Sequence, residues 1–136
     1  MNITDQFTRQ HHEMVSLCQQ LLECSIEKYI SKNASFVHTI QRSLHEVMSL
    51  HIRLEDTAFY PMLHEHENPE VRSISLRLQE EFLPGTKMYW AYHERYPSAH
   101  SIEKNSSQYI EDTHAVVNEI RLRINKEERE LYSLLR

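Results

Sequence analysis

Apolar residues recur with helical spacing in four long stretches of this chain, separated by short segments that carry Asn, Pro and Ser. The first stretch runs from Thr4 or Asp5, both suited to an N-cap, to about Asn33, with Phe7, Met14, Cys18, Leu21 and Tyr29 or Ile30 along one side. The second covers about residues 36–65, with Ile40, Leu44, Val47, Met48, Ala58, Phe59 and Met62 inward. Asn68-Pro69-Glu70 then supplies a cap, a proline suited to the first helical position and an acid for the helix dipole. The third stretch continues from there to about His93, carrying Val71, Ile74, Leu78, Met88 and Tyr92 inward. Pro84 has no N–H for the carbonyl of Glu80 and Gly85 is flexible, so a kink or short break is expected there. Tyr96-Pro97-Ser98 reads as a loop, and the fourth stretch covers about residues 106–134 with Tyr109, Val116, Ile120, Ile124, Leu131 and Leu134 or Leu135 inward. The pattern predicts an all-α fold, an up-down-up-down four-helix bundle, as one domain over residues 1–136.

Polar residues interrupt these stripes at matched levels. His11 falls between Phe7 and Met14, with His12 on a more polar face; His51 and Glu55 lie between Met48 and Phe59; Glu81 lies in line with Leu78 and Gly85; and Glu127 precedes Leu131, with Arg123 one turn earlier. Folding the chain at hairpins near residues 33, 68 and 103 brings position 11 level with about 55, 55 with about 81, and 81 with about 125. Six polar side chains therefore converge on one layer of an apolar core, where their charge must be neutralised by a metal or by pairing.

Two of these levels belong to a fourteen-residue pattern that occurs twice. Leu50-His51-Ile52-Arg53-Leu54-Glu55-Asp56, ending in Phe59-Tyr60-Pro61-Met62-Leu63, returns as Leu122-Arg123-Ile124-Asn125-Lys126-Glu127-Glu128, ending in Leu131-Tyr132-Ser133-Leu134-Leu135. In the first copy His51 and Glu55 project from one helix face, as an imidazole and a carboxylate must to converge on a transition metal. In the second copy Arg123, a cation with no lone pair to offer, stands where the histidine was.

Composition narrows the function classes. Gly occurs once and Pro four times, which leaves little material for tight β-turns. A formal charge of -5 with acids and bases interleaved gives no basic stripe for nucleic acid. No apolar run approaches a bilayer span and the N-terminus lacks the plan of a signal peptide, so a cytoplasmic location without membrane association is expected. Cys18 and Cys24, six apart on one helix, form neither a disulfide framework nor a CxxC motif. His38, His45, His64, His66, His93, His100 and His114 fall mostly on polar faces or at helix ends, and Tyr60, Tyr89, Trp90, Tyr92 and Tyr96 read first as core and second as a partner surface. No Ser-His-Asp order, phosphate loop or hydrolase carboxylate pair is present.

Arg9-Gln10-His11, the His51-x-x-x-Glu55 run leading to Phe59-Tyr60-Pro61, and Glu127-Glu128-x-x-Leu131-Tyr132 together resemble the hemerythrin-like, HHE cation-binding domains over nearly the whole chain. The resemblance implies a four-helix bundle holding a non-haem di-iron centre that binds dioxygen or serves redox and iron sensing. By matching position it assigns His11, His51, Glu55 and Glu127 as metal ligands; Glu81 is added by the level argument alone. Such sites usually draw on five histidines and two carboxylates, whereas this layer offers two histidines, three glutamates and an arginine. Without Arg123 the set approaches the Glu-rich ferritin-like di-iron proteins, and a mononuclear site on His11, His51, Glu55 and Glu127 is a further option. With Arg123, a guanidinium replaces the metal charge outright, and the run then resembles hemerythrin-shaped anti-sigma regulators, which act by binding a protein. The expected function is non-catalytic binding or sensing of a cation, iron first, or of dioxygen, reported to a protein partner. The alternative is a metal-free interaction module with an Arg-Glu-His network, and a third option is iron-dependent reduction of peroxide or oxygen.

Overall fold

A computed structural model describes residues 3–135 of the chain, and every long element in it is helical. Helix α1 (Ile3–Cys24) is followed by α2 (Glu27–Leu54), which passes into a π-helical turn, π1 (Glu55–Phe59), and a last turn, α3 (Tyr60–Leu63). After α4 (Pro69–Arg95) come the short α5 (Ala99–Lys104), then α6 (Ser106–Lys126), a second π-helical turn, π2 (Glu127–Tyr132), and α7 (Ser133–Leu135). The four long legs form an all-α bundle, in which α1 packs on α2 and α6, and α4 on α6. Among the described residues no helix is long and apolar enough to cross a membrane.

The caps show why the legs begin where they do. The Asn68 side chain accepts the Glu70 amide at 2.9 Å and Pro69 follows, as the sequence predicts for the start of α4. Ser98 and Ser101 form a reciprocal capping box that starts α5, an element the apolar spacing did not announce; it carries Ile102, fully buried, into the core. The first connection also differs from expectation. Helix α1 ends at Cys24, where the Ser25 hydroxyl bonds back to the Leu21 carbonyl at 2.7 Å, and Asn33 (φ -133°, ψ 25°) breaks the helical path a second time. The connection is thus a short helical stretch, 27–32, rather than one turn near residue 33, and no Gly or Pro marks it. At Pro84-Gly85, α4 runs on without a break or a non-helical residue.

The inward stripes follow the expected spacing on α1 and α6 and depart from it on the other two legs. On α4 the buried positions are Val71, Ser75, Leu78, Phe82, Tyr89 and Tyr92, with Gly85 between, a steady alternation of three and four. Val71, Leu78 and Tyr92 are buried as predicted, but Ile74 is only half-buried and Met88 is exposed, so the positions between them fall one residue later than predicted, at Ser75, Phe82 and Tyr89. On the second leg Ala58 and Met62 face outward, while Tyr60 and Leu63 take the interior. The cause is π1: its wider turn takes in an extra residue, which advances the inward stripe by one.

Apolar side chains form two blocks. Phe7, Phe59, Tyr60, Leu63, Val71, Leu78, Phe82, Leu131 and Tyr132 make up one, and a larger block built from Met14, Cys18, Leu21, Leu44, Met48, Tyr92, Tyr109 and Ile120 among others makes up the second. On the first and fourth legs the step from one block to the other passes through His11 and Glu127, so the polar layer sits between the blocks. A β-carbon placed on Gly85 meets only the end of the flexible Glu119 side chain, at 2.8 Å. Because Glu119 can move aside and alanine is the better helix former, Gly85→Ala should raise stability by up to about 1 kcal/mol, read as the urea midpoint.

Candidate metal centre

Each leg meets the layer in its own way. The stripe of α1 brings His11 inward and leaves its neighbour His12 exposed. The last turns of α2 present His51, and Glu55 follows as the first residue of π1; on the fourth leg Arg123 lies in the last turn of α6 and Glu127 opens π2. Both carboxylates therefore stand at an α-to-π transition, where the wider turn swings one extra side chain onto the inner face. The two π-turns fall in the two copies of the fourteen-residue pattern, at corresponding residues.

His11, His51, Glu55 and Glu127 are all buried and converge. The Nε2 atoms of His11 and His51 stand 3.2 Å apart, His11 Nε2 is 3.4 Å from Glu127 Oε1, and His51 Nε2 is 3.3 Å from Glu55 Oε1. One donor atom from each of His11, His51 and Glu127 lies within 4.8 Å of the others. The far nitrogens are tied down: His11 Nδ1 donates to Glu128 Oε2 at 2.8 Å, and His51 Nδ1 to Gln10 Oε1 at 2.6 Å. These bonds place the ring protons on Nδ1, so in the neutral rings both Nε2 lone pairs point into the same small space. Glu127 Oε1 and Glu55 Oε2, neither with a hydrogen-bond partner, complete a set of oxygen and nitrogen atoms that turn toward one another. Tyr60 donates to the other oxygen, Glu127 Oε2, at 2.8 Å, and Tyr132 stacks on His11 with ring centroids 5.6 Å apart.

Arg123 points inward. Its Nη2 donates to Glu55 Oε1 at 2.6 Å, its Nη1 to Thr86 Oγ1 at 2.9 Å, and its guanidinium lies 4.9 Å from the centre of the Phe82 ring. These charges divide the two carboxylates. Burial works to raise the Glu55 carboxyl, but Arg123 and the hydrogen bonds around it outweigh burial and hold it well below the usual range. For Glu127, burial and then the charge of Glu55 push the carboxyl well above that range. Burial lowers His11 and keeps its imidazole neutral, the form that ligates.

Glu81 is not part of this centre. It is exposed on the surface of α4, where it pairs with Arg77 at 3.1 Å and Lys126 at 3.0 Å. The reason is the one-residue shift of the intervening inward positions of α4: Phe82 and Thr86 occupy the level assigned to Glu81 and meet Arg123 there. Gln10 and Glu128, which orient the imidazoles, were not singled out from the sequence, although each is the immediate neighbour of a ligand candidate. Tyr60 and Tyr132 had a clearer signal, since they are corresponding residues of the repeated pattern.

Two imidazoles with oriented outer nitrogens and two carboxylates with open lone pairs form a donor set that fits a first-row transition metal. Searches of curated proteins and of solved structures found no match. The family model of the hemerythrin HHE cation-binding domain matches residues 2–135, and with that match spanning both copies of the pattern and His11 ahead of them, the chain belongs to this family.

Proposed function

We propose that the protein is a non-catalytic cation-binding module that holds a single transition-metal ion, iron by preference, with the Arg123 guanidinium standing in for a second cation. The carrying observation is the pair of His Nε2 atoms 3.2 Å apart, with an unpartnered Glu127 oxygen beside them: lone pairs packed at that distance require a cation or a proton between them. His11, His51 and Glu127 would hold the ion, and Glu55, shared with Arg123, would lend its free oxygen. Iron held there supplies a ferrous–ferric couple, on which oxygen binding or sensing draws. The chain's own contribution is orientation and exclusion of water: Glu128 and Gln10 fix the rings, Tyr60 fixes Glu127, and full burial keeps bulk water away from the four side chains. A recess lined by His11, His12, Val15, Ser16, Ile124 and Glu128 brings open surface to the His11–Glu128 pair and offers a way in. Sensing would be reported to a protein partner through the bundle surface.

Arg123 supports a second reading, in which the layer is a metal-free Arg-Glu-His network that fixes helix register in an interaction module. Titration of the untagged, chelator-treated protein with iron(II) under anaerobic conditions separates the two. One ion per chain is expected, with Glu128→Gln lowering affinity by about 10–100-fold and Glu81→Ala leaving it unchanged. No uptake by the wild-type chain would decide for the network.

A further inference from the structure

The face of α4 turned away from the core alternates large apolar and charged residues: Leu76, Glu80, Leu83, Lys87, Trp90 and Glu94, all exposed. Leu76, Leu83 and Trp90 are 54, 52 and 36 % exposed, in the company of charges rather than under them. Their seven-residue spacing draws them into one line about 21 Å long at 1.5 Å per residue, the repeat with which one helix faces another. Trp90 is held in place by His45 and Tyr89, at ring-centroid distances of 5.7 and 5.4 Å. The charges on this line are also set apart from the rest of the helix. Arg77, Glu81 and Arg95, on the side toward the fourth leg, pair with Glu130, Lys126 and Asp112. Glu80, Lys87 and Glu94 make no ion pair among the described residues.

We infer that this stripe is the contact surface for a second copy of the chain, with the two α4 helices packed antiparallel about a two-fold axis at Leu83. The order of the residues is complementary to itself. Turned about that axis, Leu83 meets its own counterpart, Leu76 faces the partner's Trp90, and Glu80 falls beside the partner's Lys87, with each of the latter contacts made twice. A parallel pair would set Glu80, Lys87 and Glu94 against their own copies, like charge on like charge, which selects the antiparallel arrangement. A foreign helix would have no need of self-complementarity. One helix face is a small contact, so the dimer belongs to the weak, concentration-dependent class.

Sedimentation equilibrium of the full chain, from micromolar to millimolar concentration, tests the proposal. The wild type should pass from monomer to dimer, and emission from Trp90, the chain's one tryptophan, should shift to the blue in step with it. Leu83→Glu should be monomeric throughout. Lys87→Glu and Glu80→Lys should each weaken the dimer by at least about 10-fold, and the double exchange of the two charges should restore it. All the substituted side chains are exposed, so unchanged circular dichroism is expected and verifies the fold. A wild type that stays monomeric to millimolar concentration overturns the proposal, and so does a dimer indifferent to Leu83→Glu or to the charge exchange.

Discussion

Arg123→Met should cost the metal-free protein about 3–5 kcal/mol of folding stability, because it strands a buried carboxylate. Glu55 is fully buried, and among the described residues Arg123, with Nη2 2.6 Å away, is the one Arg or Lys paired with it. Methionine fills much of the space left by the stem and keeps apolar contact with Phe82, so packing alone should lose little. What goes is the charge, and Glu55 must then either stay ionised without its main counter-ion or take up a proton inside the core. Urea unfolding with a chelator present measures the loss. Repeating it with saturating metal adds a discriminating arm, since an ion on His11, His51 and Glu127 brings positive charge back beside Glu55 and should recover much of the deficit. A mutant as stable as wild type under chelation would show that the Arg123–Glu55 pair does not hold the layer together; an equal loss with and without metal would argue that no ion enters.

The buried polar positions of the layer were legible because such a residue breaks a stripe visibly. His11 stands where Phe7 and Met14 require an apolar side chain, and His51, Glu55 and Glu127 do the same on their legs. Arg123 could be read as well, by its place in the second copy of a pattern whose first copy has a histidine. Glu81 shows the limit of that method. On α4 two adjacent stripes, one through Ile74 and Glu81 and one through Ser75 and Phe82, are about equally apolar, and only packing against the other legs chooses between them. The π-turns were not legible either. Apolar spacing assumes a constant period, so an inserted residue registers only downstream, as Leu63 rather than Met62 inside. The first connection escaped for a related reason: the chain turns at Ser25 through side-chain and backbone bonds that no Gly or Pro advertises.

Arg123→His should raise the metal content from one ion per chain to two. In the wild-type layer the guanidinium occupies the position that corresponds, in the other copy of the pattern, to His51, and it holds Glu55 Oε1 for itself. Removing it does two things at once. It deletes a positive charge from a site that must accept cations, and it returns Glu55 as a full ligand beside an introduced imidazole four residues ahead of Glu127. Two imidazole–carboxylate pairs would then face each other across the layer, one from each copy of the repeat, with His11 between them. Thr86, which now accepts from Arg123 Nη1, lies on α4 within reach of that residue and is suited to accept the outer N–H of the new ring. Metal per chain, measured by mass spectrometry after anaerobic loading and desalting, gives the count directly. Arg123→Lys serves as the control, because it keeps the cation without offering a lone pair at neutral pH, and it should stay at one ion. A wild type that already holds two ions would show that Arg123 does not stand in for a cation. A wild type with one ion and a His variant that gains none would place the block in the packing of Phe82 and Thr86 instead of in the guanidinium charge.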